Sequence, residues 1–515
     1  MNVNSPREKV AQLRINVLRW QPHIHVTGRP KGMGSLIAVI NKKSENAAET
    51  ALAMFEALGR KGAEAFGMAS PKTVKIEESL EVLRNTKISS YVIIGYIFSK
   101  ILAVDKPQPI RLDDATMVFD GRIYPSKEKI SDAEAAAEEM RKAHEETAEA
   151  FIKKTNGDFS FAVAELERII AGRDALGVRP LYYGENEDLA ALASERRALW
   201  RVGIKKADSF PPGNIAFIDK HGFNFKPVKT LAFSMAKNVT MQTAAKKLQT
   251  LLQHSIKERI SGLKEVAVAF SGGLDSSLIA LLAKNLGVGV HLIYVSLKNQ
   301  PETEHAKMAA EELQMPIHIY LYNEGDVEET LPKVLWLIEE LDPIKASIGI
   351  PMYWTAERAA KAEFRVLLSG QGADELFGGY KRYVDLYARF GVEKAREKIF
   401  KDILKMYESN FERDFKICNF HNLELRMPFA TYKIAKFAAE LPLELKIKMP
   451  DNGLRKLVLR RVAENMGLPK FIAERKKRAI QYATGVNKTL KKLAEKEDLQ
   501  LKEYLEKTFE RVVER

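Results

Sequence analysis

A chain of 515 residues is too long for one hydrophobic core and calls for two or three domains. Its 46% apolar and 29% charged residues exclude a disordered chain, and one cysteine, Cys418, excludes an intramolecular disulfide or a Cys-rich zinc site. The net charge of +13 is interleaved with 68 acidic residues and shows no zinc-finger, RNA-recognition or aromatic-basic pattern, so an anionic pocket accounts for it better than nucleic acid.

Residues 1–32 are basic and end in Gly/Pro punctuation, an extension in which His23 and His25 share one strand face without further ligands. MNVNSPREKV has no apolar signal core, and SYVIIGYIFSKILAV, interrupted by Lys100, falls short of the roughly 20 apolar residues that cross a bilayer. No membrane association is expected, and a reducing cytoplasm is the expected setting. From Met33 to about 235, the runs SLIAVI, YVIIGYIF, ATMVFDG, DFSFAVAEL, RIIAG, PLYYG, LAALAS and NIAFIDKHG alternate with turns. Two helical patterns, ENAAETALAMFEALGRKG and SDAEAAAEEMRKAHEETAEAFIKKT, interrupt them. Bunched strands with few helices predict stacked antiparallel sheets covered by helices, an α+β sandwich over residues 33–235. Over 240–515 the rhythm changes: EVAVAF, HLIYVSL, PIHIYLY and FRVLLS are separated by helical segments, as in an α/β doubly wound parallel sheet, and the part beyond about 380 reads as helical. Ligands of such sheets bind outside the carboxyl ends of the strands.

SGGLDSS lies there, between a strand predicted over 265–270 and a helix over 276–286. Gly272 and Gly273 let the backbone turn sharply and present N–H groups to an anion, while Ser271, Ser276 and Ser277 add hydroxyls and the helix N-terminus its positive end. Asp275 suits such a cradle if it holds a cation that the phosphates share. The loop lacks the Lys-Ser/Thr ending of the P-loop, and fits a departing pyrophosphate better than a γ-phosphate.

SGGLDSS resembles the pyrophosphate loop of the ATP-pyrophosphatase superfamily, and LLSGQGADELFGGYKRY (367–383) resembles its asparagine synthetase branch. FDGRIY (119–124), RDALGVRPLYYG (173–184) and LASERRAL (192–199) resemble a class II glutamine amidotransferase domain, which is Ntn-hydrolase-like. The resemblance implies an enzyme that transfers AMP from ATP to a carboxylate, with ammonia then displacing AMP, and the departures described below imply a glutaminase half that does not supply that ammonia. It implies that Phe270 and Val295 flank the adenine, that Ser369 and Gly370 close over the nucleotide, and that Asp275 and Asp374 hold Mg²⁺. Asp374 and Glu375 also read as ordinary first-turn helix acids. ERKKRAIQYATGV (474–486) resembles the segment carrying the catalytic lysine; spacing to Thr484-Gly485 points to Lys477, with Lys476 and Arg478 as its rivals. Lys345 is a candidate for the substrate's α-carboxylate or an exposed loop lysine.

The pattern breaks in four places. The N-terminal cysteine nucleophile is replaced by Gly34; the Gly-His-x-Arg block reads Gly95-Tyr96-Ile97-Phe98; the oxyanion-hole asparagine is Asp120, whose charge would repel an oxyanion. In the synthetase half, Gln371 stands where asparagine synthetases usually carry Glu, and Gln accepts no proton at neutral pH. The expectation is an AMP-forming amide ligase acting on aspartate or a similar amino acid, with ammonia drawn from solution or from a partner and a homodimer as a further option. A ligase or cyclase for another carboxylate and a non-catalytic nucleotide-binding subunit are the alternatives, and cleavage at Gly34-Ser35 to free a serine nucleophile is a minor one.

Overall fold

Runs such as SLIAVI are apolar at every position because both faces of their sheets are covered. Leu36, Ala38 and Ile40 pack with Val118, Ala162 and Ala171 of a second sheet. Ile37 and Val39 point the other way, against helix Ala48–Leu58. In the computed structural model, which describes residues 34–59, 63–127, 129–142, 145–448 and 454–513, this makes a four-layer sandwich. The extension with His23 and His25, and Met33, lie outside the described residues.

The first sheet runs Asp208–Ser209, Tyr182–Glu185, Leu189–Ala193, Ser35–Asn41, Val92–Phe98, Ala65–Ala69, Val74–Glu77. The second runs Gly222–Pro227, Asn214–Asp219, Ile169–Arg173, Gly157–Ala164, Thr116–Ile123, Ile110–Arg111. All eight predicted runs form strands; the five unanticipated ones are edge or near-edge pieces such as VKIE, whose charged residues carry no core signal. The second helical pattern is broken into Asp132–Glu139 and Glu145–Lys154. A Ser131–Glu134 capping box starts the first piece, and Met140 leaves helical geometry at φ −102°, ψ 19°.

The second domain is built on five parallel strands in the order Ile317–Tyr322, Gly289–Leu297, Glu265–Ala269, Val366–Leu368, Glu424–Arg426. The chain starts in the middle, winds to one edge, and then crosses to the other side. The switch point therefore lies between Glu265–Ala269 and Val366–Leu368, the two strands that lead into SGGLDSS and SGQGADE. One expectation is corrected: the region beyond 380 is not wholly helical, since Glu424–Arg426 is the fifth strand. Its Glu-Leu-Arg sequence has no apolar run because its charges are neutralised across the domain interface.

That interface is buried and ionic. Arg122 of the first domain lies 2.8 Å from Glu424, and Arg259 of the second lies 2.9 Å from Asp158 of the first. Arg173 and the Tyr182 hydroxyl both reach Glu412, at 3.1 and 2.8 Å. The backbone amides of Arg196 and Arg197 donate to Glu339, which also pairs with Lys416 at 3.0 Å and with the Arg197 guanidinium at 3.7 Å. Cys418 is buried beside Met352, its sulfur 4.0 Å from the thioether.

Candidate active site at the switch point

Gly272 takes a left-handed φ of +67°, and a Cβ there would press on the Ala306 Cα at 3.0 Å. Gly273 follows in extended geometry as the cap of helix Leu274–Asn285 and offers no side chain to the first-turn amides, which stay open to an anion. The helix starts two residues before the predicted 276, so Asp275 and Ser276 belong to its first turn. Ser271 and Ser276 are spent on the turn itself: their hydroxyls are 3.2 Å apart, and the Gly273 amide donates to Ser271 Oγ at 3.3 Å. Phe270, just past strand Glu265–Ala269, and Val295 on the neighbouring strand Gly289–Leu297 are buried at the same end of the sheet.

Across the crevice, Ser369 follows strand Val366–Leu368 and donates its amide to the Arg426 carbonyl at 3.1 Å. A Cβ on Gly370 would stand 3.0 Å from Asp275 Cβ, so the two loops touch. Gly372, left-handed at φ +89°, turns the chain into the short helix Ala373–Phe377 that carries Asp374.

Two lysines join the two aspartates. Lys456 Nζ lies 2.6 Å from Asp275 Oδ2 and 2.7 Å from Asp374 Oδ1, and Lys477 Nζ lies 2.8 Å from Asp374 Oδ2 and 3.9 Å from Asp275 Oδ2. Burial works to raise the Asp374 carboxyl, but Lys456 and Lys477 hold it well below the usual carboxylate range. Burial likewise works to lower the Lys477 ammonium, and Asp374 and Asp275 outweigh it and raise it. Of the three basic neighbours, Lys477 reaches the crevice, whereas Lys476 is exposed and Arg478 pairs with Glu302. Sequence reading missed Lys456, which follows Arg455 in an ordinary-looking basic pair and sits at φ +61° just ahead of helix Leu457–Asn465. Lys345 lies in the first turn of helix Pro343–Lys361 with its ammonium on Glu340, a residue that also pairs with Arg196 of the first domain.

Among the described residues no three His, Cys, Asp or Glu side chains converge as a self-sufficient metal site. Asp275 Oδ1 is buried without a hydrogen bond, which suits a shared divalent cation completed by phosphate oxygens and water. Gly379 guards this geometry: a Cβ there would lie 1.9 Å from Asp374 Oδ1 and 2.5 Å from Lys456 Cε. Gly379→Ala is therefore expected to displace the carboxylate by about an ångström and lower turnover on the order of 10²-fold, with little change in helix content by circular dichroism.

The first domain has its own cavity, lined by Gly34, Tyr96, Asp120, Gly121, Arg122 and Arg179. A Cβ at Gly34 would fall 1.8 Å from the Tyr96 hydroxyl, so the phenol occupies the room that any side chain at position 34 needs. Tyr96 donates to Asp120 Oδ1 at 3.3 Å, and Arg179 stands 3.8 Å from the same oxygen. Burial pushes the Asp120 carboxyl above its ordinary value despite Arg179.

Comparison with known proteins bears on both halves. Residues 247–395 and 390–512 match the family described as asparagine synthase. The chain belongs to the asparagine synthase family. Residues 98–201 match the glutamine amidotransferase domain, a span that begins after Gly34 and Tyr96. A protein of Methanocaldococcus jannaschii provisionally named asparagine synthetase (glutamine-hydrolyzing) 1 is 29% identical over 90% of this chain and 96% of its own length. Asparagine synthetase (glutamine-hydrolyzing) of Asparagus officinalis is 28% identical over 74% of this chain and 67% of its own. Among solved structures, a glutamine phosphoribosylpyrophosphate amidotransferase from B. subtilis, complexed with ADP and GMP, aligns with a TM-score of 0.33 at 15% identity, over 55% of this chain and 65% of that one. The family is one of ATP-dependent carbon–nitrogen ligases, and no helix among the described residues is long and apolar enough to cross a membrane.

Proposed function

We propose that this chain is an AMP-forming amide ligase that activates the carboxylate of a small amino acid, aspartate first, and aminates it with ammonia. The observation that carries the reading is the set of two aspartates and two lysines facing each other across the switch-point crevice, beside an open helix N-terminus and without a P-loop lysine. A carboxylate oxygen is a poor leaving group, so it first attacks the α-phosphorus of ATP and pyrophosphate departs. Ammonia then attacks the acyl carbon, AMP leaves with the bonding pair, and the surplus proton on nitrogen passes to solvent. Lys477 and Lys456 supply positive charge where the α-phosphoryl group and the departing pyrophosphate gain negative charge. Asp275 and Asp374 would hold Mg²⁺, whose charge offsets that of the phosphates. Phe270 and Val295 would bound the adenine pocket, with Ser369 and Gly370 over the nucleotide.

The proposal includes a silent glutaminase half. Three features support it: Gly34 has no nucleophile, Tyr96 fills the space beside it, and Asp120 places an acid where an oxyanion needs a donor. One experiment tests both parts. Purified protein with ATP, Mg²⁺ and aspartate is expected to release pyrophosphate and form asparagine with ammonium chloride, and to form none with glutamine as sole nitrogen source. No pyrophosphate release with any amino acid tried, while ATP demonstrably binds, would end the ligase reading; glutamate release from glutamine would end the second part. Gln371 favours a second reading, a different acceptor carboxylate, which mass spectrometry of the adenylated product would reveal.

A further inference from the structure

Gln371 lies between the two glycines of the nucleotide loop, partly buried, and its Nε2 donates to Asp414 Oδ2 at 2.5 Å. Asp414 is fully buried on helix Glu412–Phe420, and its other oxygen takes the Arg413 Nε–H at 2.7 Å. Arg413 is itself buried and donates onward to the Ser409 carbonyl at 3.1 Å, so the carboxylate is fixed from behind.

A carboxylate offers only acceptors, and Gln371 can therefore meet Asp414 only through its NH₂ end. That settles the orientation of the amide: Nε2 is held by Asp414 and Oε1 faces away from it. The same contact accounts for glutamine in place of glutamate. A carboxylate at position 371 would sit against Asp414 with no proton between them, two like charges in contact.

Resting on the ligase reading, we propose that Asp414 is a positioning residue that locks Gln371 with its carbonyl oxygen toward the incoming nitrogen nucleophile. Oε1 accepts a hydrogen bond from one N–H of neutral ammonia, aiming the lone pair at the acyl-adenylate carbon, and takes no proton from it. The enzyme then selects a nucleophile that arrives already deprotonated, and ammonium is not a substrate.

The test separates the two half-reactions. Adenylation is read as amino-acid-dependent ATP–pyrophosphate exchange without ammonia, and amidation as amide formation over a range of ammonium chloride and pH. In Asp414→Asn the new side chain offers both a donor and an acceptor, so Gln371 loses its fixed orientation. The ratio of amidation to exchange is expected to fall about tenfold through a higher KM for ammonia, the loss of one hydrogen bond between ammonia and Gln371 Oε1. Q371E/D414N should recover amidation, because a glutamate at 371 takes the amide of the new asparagine on one oxygen and offers the other to ammonia as an acceptor. In the wild-type chain, amidation at limiting total ammonium should rise about tenfold per pH unit below the ammonium pKa.

An unchanged ratio in D414N, or equal loss of both half-reactions, would overturn the inference and leave the ligase reading standing. If D414N does not fold, the wild-type pH profile decides: amidation that does not follow the neutral ammonia concentration would overturn it. No exchange in the wild-type chain would remove the ligase reading and this inference with it.

Discussion

Lys477→Met is expected to lower the rate of pyrophosphate release by about 10²–10³-fold, the usual cost of removing one preorganised charge from a developing phosphoryl transition state. Methionine keeps the unbranched stem and deletes only the ammonium. Lys456 would still neutralise Asp275 and Asp374, at 2.6 and 2.7 Å, so the crevice would not be left with two unpaired carboxylates. The loss should therefore appear in turnover rather than in folding. Lys476→Met, at the preceding and exposed position, serves as the control and should cost little. A K477M enzyme retaining a tenth or more of wild-type turnover would move the principal role to Lys456.

The largest effect on stability is expected from Glu424→Ala. Glu424 is fully buried and lies within 2.6 to 2.8 Å of Arg426 and Arg122, with Arg122 also bound to Asp105 at 2.6 Å. Deleting it strands the buried Arg426 guanidinium without its anion and leaves Arg122 only Asp105 and Asp132, which costs about 3–5 kcal/mol. Chemical denaturation should show that loss as a lower midpoint. The pH dependence carries a sign. Burial works to raise the Glu424 carboxyl, but Arg122, Arg426 and Arg179 hold it well below the usual carboxylate range. A depressed folded pKa means its stabilisation is complete above the unfolded value of about 4.3 and is lost progressively as pH falls below it. The wild-type midpoint should thus drop on the acid side of about pH 4.3, and the E424A midpoint should drop less steeply there. Equal acid slopes would assign the acid sensitivity to other groups.

Much of this was legible in residues 266–280 and 367–383, because strand, glycine turn and helix follow in unbroken order there and each has its own chemistry. The eight apolar runs of the first half were legible for a similar reason: both faces of each strand are covered, so hydrophobicity alone marks them. Edge strands such as Val74–Glu77 were not, since half their residues face water. Glu424–Arg426 was hidden more deeply. Its charges read as helix surface, and only the arrival of Arg122 from 302 residues away makes them interior groups. Lys456 and Asp414 shared that obscurity, for their partners are supplied by tertiary structure and nothing in the local sequence announces them.

The charged seam between the halves gives the N-terminal domain a part to play whether or not it hydrolyses glutamine. Glu339, Glu412 and Glu424 belong to the C-terminal half, yet each draws donors from Arg196, Arg197, Arg173, Tyr182 or Arg122 of the N-terminal half. Without those donors Glu412 would lose Arg173, and Glu339 and Glu424 would keep only Lys416 and Arg426 of their own half, the last of these carboxylates on the strand that holds Ser369 in place. The first half thus serves as a buttress for the second, independently of any reaction of its own.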